Sequence, residues 1–264
     1  MTSEKSLGDS EREAHTTLMP QLKEHISATE RSFNFIATVL NIAAGPPRER
    51  IQPALKASSM LMAQMLNHLR CSMLLSLRGY PAQVCVLTAS IYEAAFAVMA
   101  IGSDDRVARK WLEHDDPNRS YEEIRKITKA GLANVIPLSQ SSRKIDLERQ
   151  TEVNYVVYRQ LCWPKHLNPM FVQRYSRRDS GRGALFNGPD ASDEGLKLAS
   201  FALVNGAAFA SSAGAVYLSA YVPQEQRTGL IRDWNQLNRD LSSLRDRSIK
   251  RWGTKNPFPK KWRI

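Results

Sequence analysis

Met62-Ala63-Gln64-Met65-Leu66-Asn67-His68-Leu69-Arg70-Cys71-Ser72-Met73-Leu74-Leu75-Ser76-Leu77-Arg78-Gly79-Tyr80-Pro81-Ala82 holds the two signals that decide the fold. Met62, Met65, Leu66, Leu69, Met73 and Leu77 recur at three- and four-residue steps, the spacing that places side chains on one face of an α-helix. Gly79-Tyr80-Pro81 then stops that helix and starts another, because Gly ends a helix readily and Pro fits a first turn. Two helices joined so tightly pack antiparallel. The second, from about Ala82 to Ile101, is apolar on nearly every face and therefore belongs at the centre.

The same periodicity extends outward. Leu18, Leu22, Ile26, Phe33, Ile36 and Leu40 predict a first helix with one polar gap at Thr29, ending by Gly45-Pro46-Pro47. The helix that contains Met62 starts near Ile51. Val107 and Trp111 suit a short helix that Asp115-Asp116-Pro117-Asn118 breaks, and Tyr121, Ile124 and Ile127 open another. Lys144 to Cys162 reads as a helix that Pro164 kinks or ends just before His166, since Pro164 cannot donate to residue 160. Residues 179–191 read as a loop. Asp190 or Ser192 is placed to cap the helix that follows, with Asp193 and Glu194 in its first turn. Leu230, Trp234, Leu237, Leu241 and Leu244 define a last helix behind Pro223.

Nowhere does strand-like alternation meet a hairpin turn. The expected fold is all-α, a multi-helix antiparallel bundle of about seven to nine helices. A single helical domain is expected over 18–249, with a polar N-terminal extension (1–17) and a basic C-terminal tail (250–264). Residues 198–224 carry no charge. They are rich in Ala, Ser and Gly, which favours a buried helix over a membrane span.

Composition narrows the function classes. Cys71, Cys85 and Cys162 are an odd, scattered set, which argues against a disulfide framework or a zinc site and fits a cytoplasmic home. The polar start Met1-Thr2-Ser3-Glu4-Lys5-Ser6 leads into no apolar run, so no secretory signal is expected. His15, His25, His68 and His114 are too dispersed for a metal motif, and Gly181-Arg182-Gly183 is not a phosphate loop, so neither metal nor cofactor is expected. Met60, Met62, Met65 and Met73 read as core filler. The net charge of +11 favours anionic partners, RNA among them. Its densest clusters are Arg174, Arg177, Arg178 and Arg182, and the run from Arg245 to Arg263. Both also read plainly as solvated surface.

Arg159 and His166 form the one grouping suited to handling a phosphate and a proton together. Metal-free RNA cleavage needs a proton carrier and a cation for the phosphorane, roles that imidazole and guanidinium fill. Seven residues separate the two by about 10 Å along a straight helix. A kink at Pro164, or a second copy across a homodimer, would have to close that gap. The bland alternative pairs Arg159 with Glu152 or solvent and His166 with a neighbouring carbonyl. Tyr155 and Tyr158 read as core or rim aromatics, Tyr158 doubling as a candidate binding residue. Glu93 stands in the apolar run Ile91-Tyr92-Glu93-Ala94-Ala95-Phe96-Ala97-Val98, so it must be paired, protonated or facing a cavity. Arg70, Arg78 or the Arg159–His166 element are its candidate partners.

Two resemblances bear on these residues. Gly79 to Ala94, with Ser90-Ile91-Tyr92-Glu93-Ala94 at its end, and Tyr158 to His166 together resemble a bacterial family of uncharacterised helical proteins (domain of unknown function 5677). The likeness covers about residues 60 to 220 and implies a helical fold without an established activity. The Arg that the family places just before the Ser-Ile-Tyr-Glu stretch is Ala89 here, which implies a lost or replaced partner for Glu93. Arg159 and His166 are also distantly similar to the Arg/His motif of HEPN ribonucleases, with Gln160 where that motif has Asn. Two readings follow. One is a ribonuclease-like stress or defence protein using a polar intra-bundle pocket of Glu93, Arg159 and His166. The other is a non-catalytic binding or scaffold protein that engages an acidic partner or nucleic acid through its basic clusters.

Overall fold

The computed structural model describes residues 6–45, 51–115, 122–139, 146–166 and 188–252. Among them are eight α-helices and no strand: α1 (Leu7–Ala44), α2 (Pro53–Leu77), α3 (Pro81–Ile101), α4 (Asp105–Leu112), α5 (Ile124–Val135), α6 (Leu147–Lys165), α7 (Asp193–Tyr221) and α8 (Gln224–Trp252). The bundle is the all-α architecture expected from the periodicity.

Gly79 sets the geometry of the central hairpin. Tyr80 N–H donates to the Leu75 carbonyl at 2.9 Å and Gly79 N–H to Ser76 at 3.3 Å, the paired bonds that close a helix on a left-handed residue. Gly79 has φ +82, a conformation that a side chain at this position would resist. A Cβ here would also stand 2.9 Å from the backbone nitrogen of Asp190. That nitrogen donates to the Gly79 carbonyl at 2.7 Å, so the α2–α3 turn and the lead-in to α7 are fastened together.

The two most apolar helices form the middle. α3 packs against α2, α5, α6 and α7, and α7 also meets α1, α2 and α8. Each is long and apolar enough to cross a membrane, yet 72% of the relevant window of α3 and 78% of that of α7 is buried against other helices. Small residues allow the close approach. Gly214 of α7 lies under the Phe35 ring of α1, and Gly206 under Thr88 and Ile91 of α3. Trp234, Leu237, Leu241 and Leu244 bury the inner stripe of α8, and Met62, Met65 and Met73 that of α2. Met60 departs from the expectation and is 52% exposed, because it lies outside that stripe.

Three boundaries moved. The segment expected as a polar extension is helical from Leu7, where the Ser6 hydroxyl accepts from Asp9 N–H and buried Ala14 and Leu18 anchor the first turns. Thr29, the polar gap, is fully buried and donates to the His25 carbonyl at 2.8 Å. α6 begins at Leu147 rather than Lys144, because the Asp146 carboxylate accepts from Glu148 and Arg149 N–H and so caps it. Ser192 caps α7 through Gly195 N–H, as expected. The basic run enters α8 as far as Trp252, and 253–264 lie outside the described residues.

Candidate functional site

Glu93 does have a partner, and it comes from α6. Tyr158 Oη donates to Glu93 Oε1 at 2.7 Å, and Lys165 Nζ lies 2.9 Å from the same oxygen. The two donors are seven residues apart, nearly two turns, and so share the face of the helix that meets Glu93. Arg159 and His166 carry the same spacing one residue later. A one-residue step turns a side chain about 100° around the axis, which carries both to the exposed side.

No hydrogen bond or ion pair among the described residues joins Glu93 to Arg159 or His166. Pro164 stays inside the helix, and His166 ends it as the cap, donating its backbone N–H to Cys162 at 3.0 Å. Arg159 does not reach Glu152, which pairs with Arg125 at 3.4 Å. Nor do Arg70 and Arg78 bond Glu93: Arg78 is held by Glu11 at 2.9 Å, and Arg70 is exposed. Ala89, where the family resemblance leads one to expect Arg, is fully buried. Glu93 takes its cation from Lys165 instead.

Behind this trio stands an aromatic wall. Tyr158 stacks on Tyr92 with ring centroids 4.8 Å apart, and Tyr92 meets Phe96 at 4.3 Å and Phe209 edge-on at 4.9 Å. Burial, and then the Glu93 carboxylate, push the Tyr158 hydroxyl well above its ordinary range, so it stays a donor. Burial also raises the Cys162 thiol, one turn further along α6. Such a thiol is inert rather than nucleophilic.

On its other side Glu93 borders a surface groove of about 330 Å³ with Gln64, Ser90, Trp111, His114 and Ile127. Lys165, Trp111 and His114 were not singled out by sequence reasoning. The signal for Lys165 was present in its spacing from Tyr158 across buried Cys162. No set of His, Cys, Asp and Glu among the described residues is grouped to hold a metal ion.

Side chains only a third exposed at Glu93 and Lys165 leave that ion pair partly screened. The Tyr158 bond is more sheltered. In double-mutant cycles read by urea unfolding, Tyr158→Phe with Glu93→Gln should show about 1 kcal/mol of coupling, and Lys165→Met with Glu93→Gln less. Arg159→Ala and His166→Ala should each move stability by under about 0.5 kcal/mol. A Tyr158–Glu93 coupling indistinguishable from zero would contradict this arrangement.

Arg174, Arg177, Arg178 and Arg182 lie outside the described residues. The distribution of charge is nevertheless informative. Of the 37 Lys and Arg, 14 lie outside the described residues, against only 4 of the 26 Asp and Glu, so nearly all of the +11 excess belongs to those segments. The two richest are 167–187 and 253–264. Segment 167–187 follows the C-terminus of α6 and rejoins the helices beside Gly79, where Asp190 is fastened. Segment 253–264 follows α8, which runs antiparallel to α1 through Arg31–Asp240, Glu24–Arg247 and Gln21–Arg251. The start of α1 is itself tied to that same turn, by Arg78 and Tyr80 on Glu11.

No family model, curated protein or solved structure matches this chain.

Proposed function

We propose that this chain is a non-catalytic helical binding protein that holds RNA through cationic segments attached to an electrically neutral bundle. The observation that carries the reading is the placement of charge: a body with nearly equal numbers of cations and anions, and an excess richest in segments 167–187 and 253–264. Phosphate backbones are bound chiefly by such cations, and this contribution is indifferent to sequence. The Glu93–Tyr158–Lys165 trio has a structural part in this reading: it fixes α6, and with it the start of segment 167–187, against α3.

The ribonuclease reading draws no support from the described geometry. Its two reacting groups, Arg159 and His166, are exposed, and the carboxylate that was to join them is occupied elsewhere. Incubating the pure protein with mixed RNA, with and without EDTA, tests the choice. Retention of RNA without cleavage is the expected outcome. Cleavage that His166→Ala removes would overturn the proposal and restore the nuclease.

A further inference from the structure

The C-terminal helix α8 is fastened to α1 by a polar seam. The side-chain bonds across it are Arg31–Asp240, Arg247–Glu24, Arg251–Gln21 and His25–Ser248. Further along, the two helices part to leave a cleft of about 400 Å³ between Arg31, Asn34 and Phe35 on one side and Asp233, Gln236 and Leu237 on the other. Beside the seam Trp234, Leu237, Leu241 and Leu244 bury the inner stripe of α8, so releasing the helix exposes them as well.

His25 is the buried member of the seam, 6% exposed. Its Nε2 lies 3.1 Å from the Ser248 hydroxyl, while Nδ1 is buried and without a hydrogen-bond partner. An imidazolium needs an acceptor at both nitrogens. The charged groups around it are Arg247 and Arg251 on α8 and Glu24 on its own helix, and Glu24 is already bonded to Arg247. A proton on this ring would gain from Glu24, yet it would be buried near two cations with one N–H unanswered.

We infer that His25 is an acid-sensitive latch, and that protonating its ring releases α8 from α1 while the remaining helices stay folded. Burial pushes the imidazole down from 6.5 to about 4, the two arginines adding to the effect and Glu24 opposing it. The released form, with the ring in water, takes its proton near 6.5. Closure is therefore fully favoured above that value, weakens as pH falls toward 4, and loses nothing more below it. Between pH 7 and pH 5 the ratio of released to closed form rises roughly 20-fold.

Hydrogen exchange of the full chain at pH 7 and pH 5, corrected for intrinsic rates, reads this directly. Protection across 230–250 should drop by about that factor while α3 keeps its own, and His25→Gln should abolish the difference. Unchanged protection of α8 in the wild type would overturn the latch. So would an equal loss in α3, or the same loss in His25→Gln. Should His25→Gln fail to fold, an NMR titration of His25 in the wild type decides: a midpoint well below 6 supports the inference, and one at 6.5 or above rejects it.

Discussion

Tyr92→Ala is expected to cost the fold about 4 kcal/mol, the range for deleting a large buried ring. Tyr92 is fully buried at the crossing of α3, α5, α6 and α7. Its ring lies against Tyr158, Phe96 and Phe209, and its hydroxyl shares a 2.7 Å bond with Thr128. Collapse around the vacancy is limited because each neighbour belongs to a different helix or turn. Tyr92→Phe separates ring from hydroxyl. It should lose only about 1 kcal/mol, because Thr128 retains its bond to the Ile124 carbonyl. Urea midpoints of the two variants check this. A loss below about 1.5 kcal/mol for Tyr92→Ala would mean that the aromatic wall is not where the helices are joined.

The same wall shows how far the sequence could be read. α3 was legible because an almost uninterrupted apolar run of 21 residues admits no other place than the centre. The Gly79 turn was legible because only a residue without Cβ accepts both its φ and the backbone of Asp190. Glu93 was recognisable as needing a partner, since an apolar helix offers it none. The partner itself was not legible. Helical spacing fixes which residues share a face and leaves open which face turns inward, so Tyr158 with Lys165 and Arg159 with His166 were equivalent by period. Packing broke the tie: Tyr158 has a ring to lay on Tyr92, and Arg159 does not. The start of α1 was missed for a related reason, because Ser6 and Ala14 give weak signals beside a run of polar residues.

His25 illustrates the opposite case. In sequence it is one scattered histidine among five. Only the antiparallel register of α1 and α8, which brings Ser248 across 223 positions of chain, turns it into the buried element of a polar seam.

Affinity for RNA should be dominated by the cations outside the helices, and here the second large effect is expected. Segments 167–187 and 253–264 together carry Arg174, Arg177, Arg178, Arg182, Lys255, Lys260, Lys261 and Arg263. If about six of them meet phosphates of a single strand, log affinity falls with log salt at a slope near −4, a loss of roughly 300-fold between 50 and 200 mM. Exchanging Lys255, Lys260, Lys261 and Arg263 for Gln together should weaken binding strongly at low salt and reduce the slope by about 2 to 3. His166→Ala should leave both unchanged.

The salt dependence of RNA binding by the full chain, measured beside the variant with four glutamines, is the most direct test of RNA binding through the cations of segments 167–187 and 253–264. A steep slope that flattens in the variant is the result expected here. A slope near zero, or one the four substitutions leave unaltered, would contradict it.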